Sequence, residues 1–165
     1  METKKIEDFV ALLTSKQIKI VCAESITGGL LASTIISIPG ASSVLLGSIV
    51  SYNPEFKNKV LGVSNQTLHD KTAESFEVTR EMVNGIFNLF PTADLYVAVT
   101  GVASASVNGY YVDKAIGQIY VVIMYKNSFF EFSEIILKNE RNLIRDGAVE
   151  AIFNYIIEVV VGKKI

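Results

Sequence analysis

A serine followed closely by two glycines, in Ala23-Glu24-Ser25-Ile26-Thr27-Gly28-Gly29, is the part of this sequence best equipped for chemistry. The apolar run Ile18-Lys19-Ile20-Val21-Cys22 precedes it and Leu30-Leu31-Ala32-Ser33-Thr34-Ile35-Ile36 follows. The hydroxyl and the glycines therefore sit at a strand-to-helix turn, where backbone N–H groups are unpaired and glycine lets a ligand approach closely. Such a turn can present a serine nucleophile or bind an anion; a plain turn in which Ser25 or Thr27 caps the helix accounts for the same residues. A nucleophilic serine needs a base. His69 is the sole histidine, in the polar stretch Thr67-Leu68-His69-Asp70-Lys71. A His–Ser–Asp triad can be drawn from it, but a solvated histidine in a surface loop fits better. Lys57 is the stronger candidate, five residues beyond Tyr52 and just past a predicted strand end. A lysine serves as base when burial or nearby positive charge lowers its pKa; the plain alternative is an exposed helix lysine. Tyr52, at the carboxyl end of its strand, is placed to relay or position the proton. Ligands of open α/β sheets bind at this edge, so Ser25 and Tyr52 are expected to converge.

The elements that must hold these residues follow from periodicity. Ile6, Phe9, Val10 and Leu13 have helical spacing, so an amphipathic helix opens the chain. A strand over 18–23, the glycine turn and a helix over 29–37 come next, with Ile38-Pro39-Gly40 breaking the helix. Residues 44–52 read as a strand, and Asn53-Pro54 as the cap and first position of a short helix that carries Lys57 and ends near Leu61-Gly62. A longer helix is predicted over 73–90, packing through Phe76, Val83, Ile86, Phe87 and Phe90, then a strand over 94–100 stopped by Gly101. Residues 103–114 read as a mobile surface loop. Strands over 117–125 and 129–137, joined through Asn127-Ser128, should form an antiparallel hairpin. The last helix begins near Asn142, with Ile144, Ala148, Ile152, Tyr155 and Val159 on its buried side. Early alternation and a late hairpin predict one α/β domain over 1–165, a three-layer α/β/α sandwich with a mixed sheet.

Composition narrows the function classes. The 165 residues are 50% hydrophobic and 19% charged, as in a globular chain with a real core. A net charge of −2 with scattered lysines and arginines argues against a nucleic-acid partner. No apolar stretch reaches the ~18 residues needed to cross a bilayer, and residues 1–8 lack a secretory apolar core, so no membrane and a cytoplasmic location are expected. One Cys and one His exclude a single-chain Cys/His zinc site. Glu24 and Asp94 form no evident carboxylate pair, and neither a metal nor a cofactor is expected. Apolar hairpin strands and nine phenylalanines make a homo-oligomer the expectation.

The Ala23–Gly29 segment resembles the A-E-S-x-T-G-G signature of the CinA carboxy-terminal domain family, whose members include nicotinamide mononucleotide deamidases. The resemblance continues through Ile38-Pro39-Gly40-Ala41-Ser42, Gly47-Ser48-Ile49-Val50-Ser51-Tyr52-Asn53, Lys57, Leu61-Gly62-Val63, Val99-Thr100-Gly101-Val102-Ala103 and Arg141. It spans about residues 3–160 in order and spacing. It implies hydrolysis of the carboxamide of nicotinamide mononucleotide to nicotinate mononucleotide and ammonia, with Ser25 as nucleophile and Lys57 and Tyr52 as its activating partners. Thr27, Gly28, Gly29, Ser42, Thr100, Gly101 and Arg141 would surround this small nucleotide substrate. Their chemistry suits those roles: N–H groups at Gly28-Gly29 for a developing oxyanion, and the Arg141 guanidinium for a phosphate. The resemblance also points to self-association. Two stretches depart from it: Thr100-Gly101-Val102-Ala103-Ser104-Ala105-Ser106, continuing to Lys114-Ala115-Ile116-Gly117-Gln118, lacks the family's Gly-Pro pair and later proline, and Asp70-Lys71-Thr72-Ala73-Glu74 keeps only the final glutamate of G-A-V-S-E. Two other functions fit the same residues: a pyridine-nucleotide-binding protein with little catalysis, or a Ser–Lys hydrolase of another small amide.

Overall fold

The computed structural model describes residues 1–105 and 113–162. Five strands form one sheet in the order β2-β1-β3-β4-β5. They are β1 (Ile20–Glu24), β2 (Leu45–Val50), β3 (Leu95–Gly101), β4 (Gln118–Tyr125) and β5 (Ser128–Ile135). β2, β1 and β3 run parallel, while β4 and β5 add antiparallel. The sheet is mixed, as expected.

Period-two alternation splits the core into two layers. Ile20, Cys22, Val97, Val99, Val121 and Ile123 face α1 (Thr3–Ser15), α2 (Leu30–Ile36) and α6 (Arg141–Val161). Val21, Ala23, Tyr96, Ala98 and Val122 face the other way, onto α3 (Pro54–Leu61) and α5 (Phe76–Leu89). β1 is an inner strand, between β2 and β3, with every residue buried, so its run is apolar up to Glu24 rather than alternating. The predicted three-layer α/β/α sandwich is therefore the observed architecture.

Several boundaries moved for identifiable reasons. The helix predicted over 73–90 begins at Phe76, where the Ser75 hydroxyl accepts from the Val78 amide. Phe87 and Phe90, assigned to its buried side, are 36% and 44% exposed. The stretch around His69, expected as a loop, is a helix, α4 (Asn65–Lys71), capped by the Ser64 hydroxyl. It buries no residue of its own and so carries no periodic apolar signal; Glu81 fastens it by accepting from the Ser64 amide and the Thr67 hydroxyl. The hairpin turn is Lys126-Asn127, one residue earlier than expected, with φ of 51° and 59° as a type I′ turn requires. β5 ends at Ile135, leaving Leu137 exposed. In α6, Ile144, Ala148 and Ile152 are buried as expected, whereas Tyr155 and Val159 are only half-buried. Most of the expected 103–114 loop falls on residues 106–112, outside the described residues.

The chain leaves β1 toward one face of the sheet through α2 and leaves β2 toward the other through α3, α4 and α5. β2 and β3 flank β1 on opposite sides. This is a switch point, and it opens a crevice at the carboxyl ends of the central strands. One close approach sets how α3 sits beside that crevice. A Cβ on Gly85 of α5 would lie 2.2 Å from the Leu61 carbonyl oxygen at the end of α3. Gly85→Ala should therefore cost about 1–3 kcal/mol through overpacking against backbone and lower the melting temperature by roughly 3–10 °C. Gly47→Ala, where nothing lies within 4 Å, is the control that should melt within about 2 °C of wild type.

Candidate active site

Ser25 is the first residue past β1, and its amide donates to the Val99 carbonyl of β3 at 3.1 Å. That bond pins the serine over the crevice while leaving it 8% exposed. The following turn closes tightly, the Gly28 amide donating to the Ser25 carbonyl at 3.1 Å. Gly28 and Gly29 have φ of 57° and 93°, left-handed backbone that glycine adopts without strain.

The anion at this turn is the protein's own. Glu24, the last residue of β1, is fully buried. One carboxylate oxygen accepts from the Thr27 hydroxyl (2.7 Å), the Gly29 amide (2.9 Å) and the Leu31 amide (3.0 Å). The other accepts from the Ala32 amide (3.0 Å) and the Ser48 hydroxyl of β2 (2.8 Å). The carboxylate thus fills the donor-rich, positive start of α2 and ties it to the neighbouring strand. Two expectations are corrected by this. The turn does not leave its glycine amides open to an outside anion, and Gly28 and Gly29 are not oxyanion donors, because Ser25 and Glu24 already accept from them.

Lys57 reaches the serine from the other face. Asn53 caps α3 by accepting from the Glu55 amide at 2.8 Å, with Pro54 at the first helical position as expected. From the first turn of this helix the lysine side chain runs inward and is fully buried, not the exposed helix lysine of the alternative. Its Nζ donates to Ser25 Oγ at 2.8 Å, to the Ser51 carbonyl, and to the Tyr52 carbonyl at 3.4 Å. Three acceptors for three protons satisfy an ammonium. In the neutral amine, two N–H bonds can stay on the carbonyls while the lone pair faces the serine hydroxyl. Burial pushes the Lys57 pKa down to about 8, with the charge of Glu74 acting in the opposite direction.

Ser25, Tyr52, Asn53, Pro54, Ala73, Glu74 and Gly101 line a cleft of about 320 Å³ over this pair. A larger concavity of about 570 Å³ lies at the opposite end of the sheet, among Lys16, Asp94, Tyr96 and Tyr125; it holds no nucleophile–base pair. Tyr52 reaches Lys57 through its carbonyl rather than its phenol. Its side chain is 61% exposed, and its hydroxyl accepts from Arg141 Nη2 at 2.8 Å. The other guanidinium nitrogen of Arg141 donates to Ser104 Oγ at 2.9 Å. Arg141 therefore stands at the rim beside Tyr52 and has no ion-pair partner among the described residues.

The remaining predicted site residues separate. Gly101 lines the cleft. Thr27 and Thr100 are fully buried, their hydroxyls committed to Glu24 and to Thr79 (2.8 Å). Ser42 lies in the turn at Ala41–Ser43, before the amino end of β2. Because β2 runs parallel to β1, Ser42 stands at the far end of the sheet from Ser25. These three do not line the cleft of this chain. His69 is an exposed residue of α4 that meets Asp70 at 2.9 Å, not the serine. Two residues that matter here were not singled out by spacing. Arg145 donates to the Thr27 carbonyl from Nη2 and Nε, at 2.8 and 3.3 Å, and pins α6 onto the turn. Glu24 had one legible signal, an acid just before a helix start.

Residues 2–160 match the family model described as CinA C-terminal domain. A "CinA-like protein" of Thermotoga maritima is 34% identical over 148 residues, which is 87% of this chain and 34% of that protein. A "Putative competence-damage inducible protein" of Alkaliphilus oremlandii is 42% identical over 144 residues, again 87% of this chain and 34% of the relative. The chain thus spans about a third of the length of these relatives. Among solved structures, a competence-damaged protein (CinA) superfamily protein of Klebsiella pneumoniae superposes with a TM-score of 0.88 at 22% identity, covering 98% of this chain and 99% of that one. The competence/damage inducible protein CihA of Agrobacterium tumefaciens gives 0.83 at 26% identity, covering 94% and 93%.

Two measurements check the site as built. Glu24→Gln replaces an acceptor oxygen with an NH₂ that faces other donors. It should cost about 2–4 kcal/mol and lower the melting temperature by roughly 5–15 °C. The buried amine fixes the sign of a pH effect. With a folded pKa of about 8 against 10.5, the unfolded chain holds more protons between those values, so stability rises with pH across that window. The gain is at most about 3 kcal/mol and is absent below pH 8. Wild type should accordingly gain on Lys57→Met in melting temperature between pH 8 and 10.5; a constant difference would mean that the folded amine keeps its proton up to the same pH as the unfolded one.

Proposed function

The chain belongs to the CinA C-terminal domain family, and from that membership we propose that it is an amidohydrolase. It cleaves the carboxamide of nicotinamide mononucleotide to nicotinate mononucleotide and ammonia. The observation that carries this reading is the 2.8 Å contact between the buried Lys57 amine and Ser25 Oγ. A serine hydroxyl attacks an amide only with a base at hand. A pKa of about 8 leaves about a tenth of the amine neutral at pH 7, about 300-fold more than at 10.5.

In the proposed reaction the neutral Lys57 takes the Ser25 proton as Oγ bonds to the carboxamide carbon. The resulting ammonium gives that proton to the departing nitrogen, ammonia leaves, and the acyl group remains on Ser25. Lys57 then takes a proton from water, the hydroxide oxygen bonds to the acyl carbon, and the Ser25–acyl bond breaks with the proton returning to Oγ. With the Gly28 and Gly29 amides engaged, the Ile26 amide, adjacent to the nucleophile, serves as a donor to the oxyanion. It directly follows the nucleophile and has no acceptor among the described residues. Tyr52 supplies a carbonyl that orients the amine. Arg141, at the rim, is the partner for the nucleotide phosphate, where a planar guanidinium binds two oxygens at once.

Ammonia release from nicotinamide mononucleotide is the direct test. Ser25→Ala and Lys57→Arg should each lower kcat by about 1,000-fold or more, since arginine keeps the charge but cannot give up its proton. The kcat/KM profile should fall tenfold per pH unit below about 8 and level off above it. Tight binding of the nucleotide without turnover would favour the non-catalytic alternative, and activity in Ser25→Ala equal to wild type would remove the nucleophile.

A further inference from the structure

Glu74 lines the cleft over Ser25 and is the one acid among the described residues that do so. It is held on a fixed corner. Ala73 beside it is buried, and the Ser75 hydroxyl donates to the Thr72 carbonyl at 3.1 Å. Thr72 itself has φ 63° and ψ 164°, a strained conformation for a β-branched residue. Lys114 Nζ donates to the Thr72 hydroxyl at 3.1 Å. The corner is thus tied from α5 and from the segment before β4, and it carries the carboxylate at the lip of the reaction cleft.

The electrostatics around this lip call for an acid if the substrate is cationic. Lys57 is mostly an ammonium at neutral pH, and Lys114 and Arg141 stand on the same side of the molecule. A ring bearing a fixed positive charge would meet repulsion in a cleft of about 320 Å³ unless an anion faced it. The field of Glu74 reaches the catalytic amine, where it favours the charged form.

We propose that Glu74 is the counter-ion for a fixed positive charge on the substrate ring, so that the site selects cationic heterocyclic carboxamides over neutral ones. The proposal rests on the amidohydrolase reading above and adds to it a substrate class and the residue that sets it. Glu74 touches the ring, not the reacting bond.

The test compares oxidised nicotinamide mononucleotide, whose ring is cationic, with its reduced dihydro form, which carries the same amide, ribose and phosphate on a neutral ring. The kcat/KM for ammonia release is measured for both compounds in wild type and Glu74→Gln. The intrinsic difference in reactivity of the two amides is common to both proteins and cancels in the ratio of ratios. Glu74→Gln should lower kcat/KM for the cation by about 10- to 100-fold and change that for the neutral compound by no more than about threefold. An equal loss on both compounds overturns the counter-ion and leaves the amidohydrolase standing; no hydrolysis of either by wild type overturns both. A measurement on wild type alone guards against a poorly folded variant. Added salt should raise KM for the cation more than for the neutral compound, the phosphate contribution being shared, and an equal rise counts against the proposal.

Discussion

A lysine amine kept out of water, with three acceptors arranged around it, is the constraint on which the rest of the site depends. Lowering its pKa from 10.5 to about 8 corresponds to about 3 kcal/mol of disfavoured charge, which the remainder of the fold must offset. The offset comes from ordinary packing. α3 is short, capped by Asn53 and Pro54, and seated against α5 so closely that Gly85 leaves no room for a side chain. The carbonyls of Ser51 and Tyr52 at the end of β2 then receive the amine protons. A base of this kind needs no histidine, because its basicity is tuned by the walls rather than by the residue type.

The nucleophile is positioned by a second buried charge of opposite sign. Glu24 ends β1, fills the start of α2 and bonds to Ser48 on β2, so a strand, a turn, a helix and a neighbouring strand share one carboxylate. Satisfying five donors at once is what makes its burial tolerable. The consequence for chemistry is a division of labour along Glu24-Ser25-Ile26: the carboxylate consumes the helix-start amides, the hydroxyl faces the amine, and the next amide is left over. A glycine-rich turn at a helix start is therefore not in itself an anion site. What matters is whether an internal acceptor has already taken its donors.

The nucleophile and the amine meet because of topology. β1 sends its helix to one face of the sheet and β2 sends its helix to the other, so the end of β1 is open on the side from which α3 approaches. Ser25 and Lys57, 32 positions apart in the chain, become hydrogen-bonded neighbours only in that crossing. Arg141 and Arg145, one turn apart on α6, divide similarly. Arg145 turns inward to hold the Thr27 carbonyl, and Arg141 turns outward to Tyr52 and Ser104 at the rim.

Much of this was legible in the residues alone. Apolar periodicity specified most of the helices and strands and the mixed three-layer architecture, because a sheet covered on both faces imposes its pattern on every central strand. The turn glycines, the Asn53-Pro54 helix start and the pairing of a hydroxyl with an amine were visible as residue types at element ends. α4 was not, since a helix held by Glu81 and buried nowhere leaves no apolar rhythm to detect. Nor could spacing say which polar groups at the turn were already spent. Thr27, Thr100 and the Gly29 amide look available in the sequence and are committed to Glu24 and Thr79 in the fold. Local patterns determine which elements form; burial and hydrogen-bond partnership depend on what packs across from a residue, and only the tertiary structure decides that. The amine's lowered basicity belongs to the second kind, because it arises from the exclusion of water by elements distant in the chain.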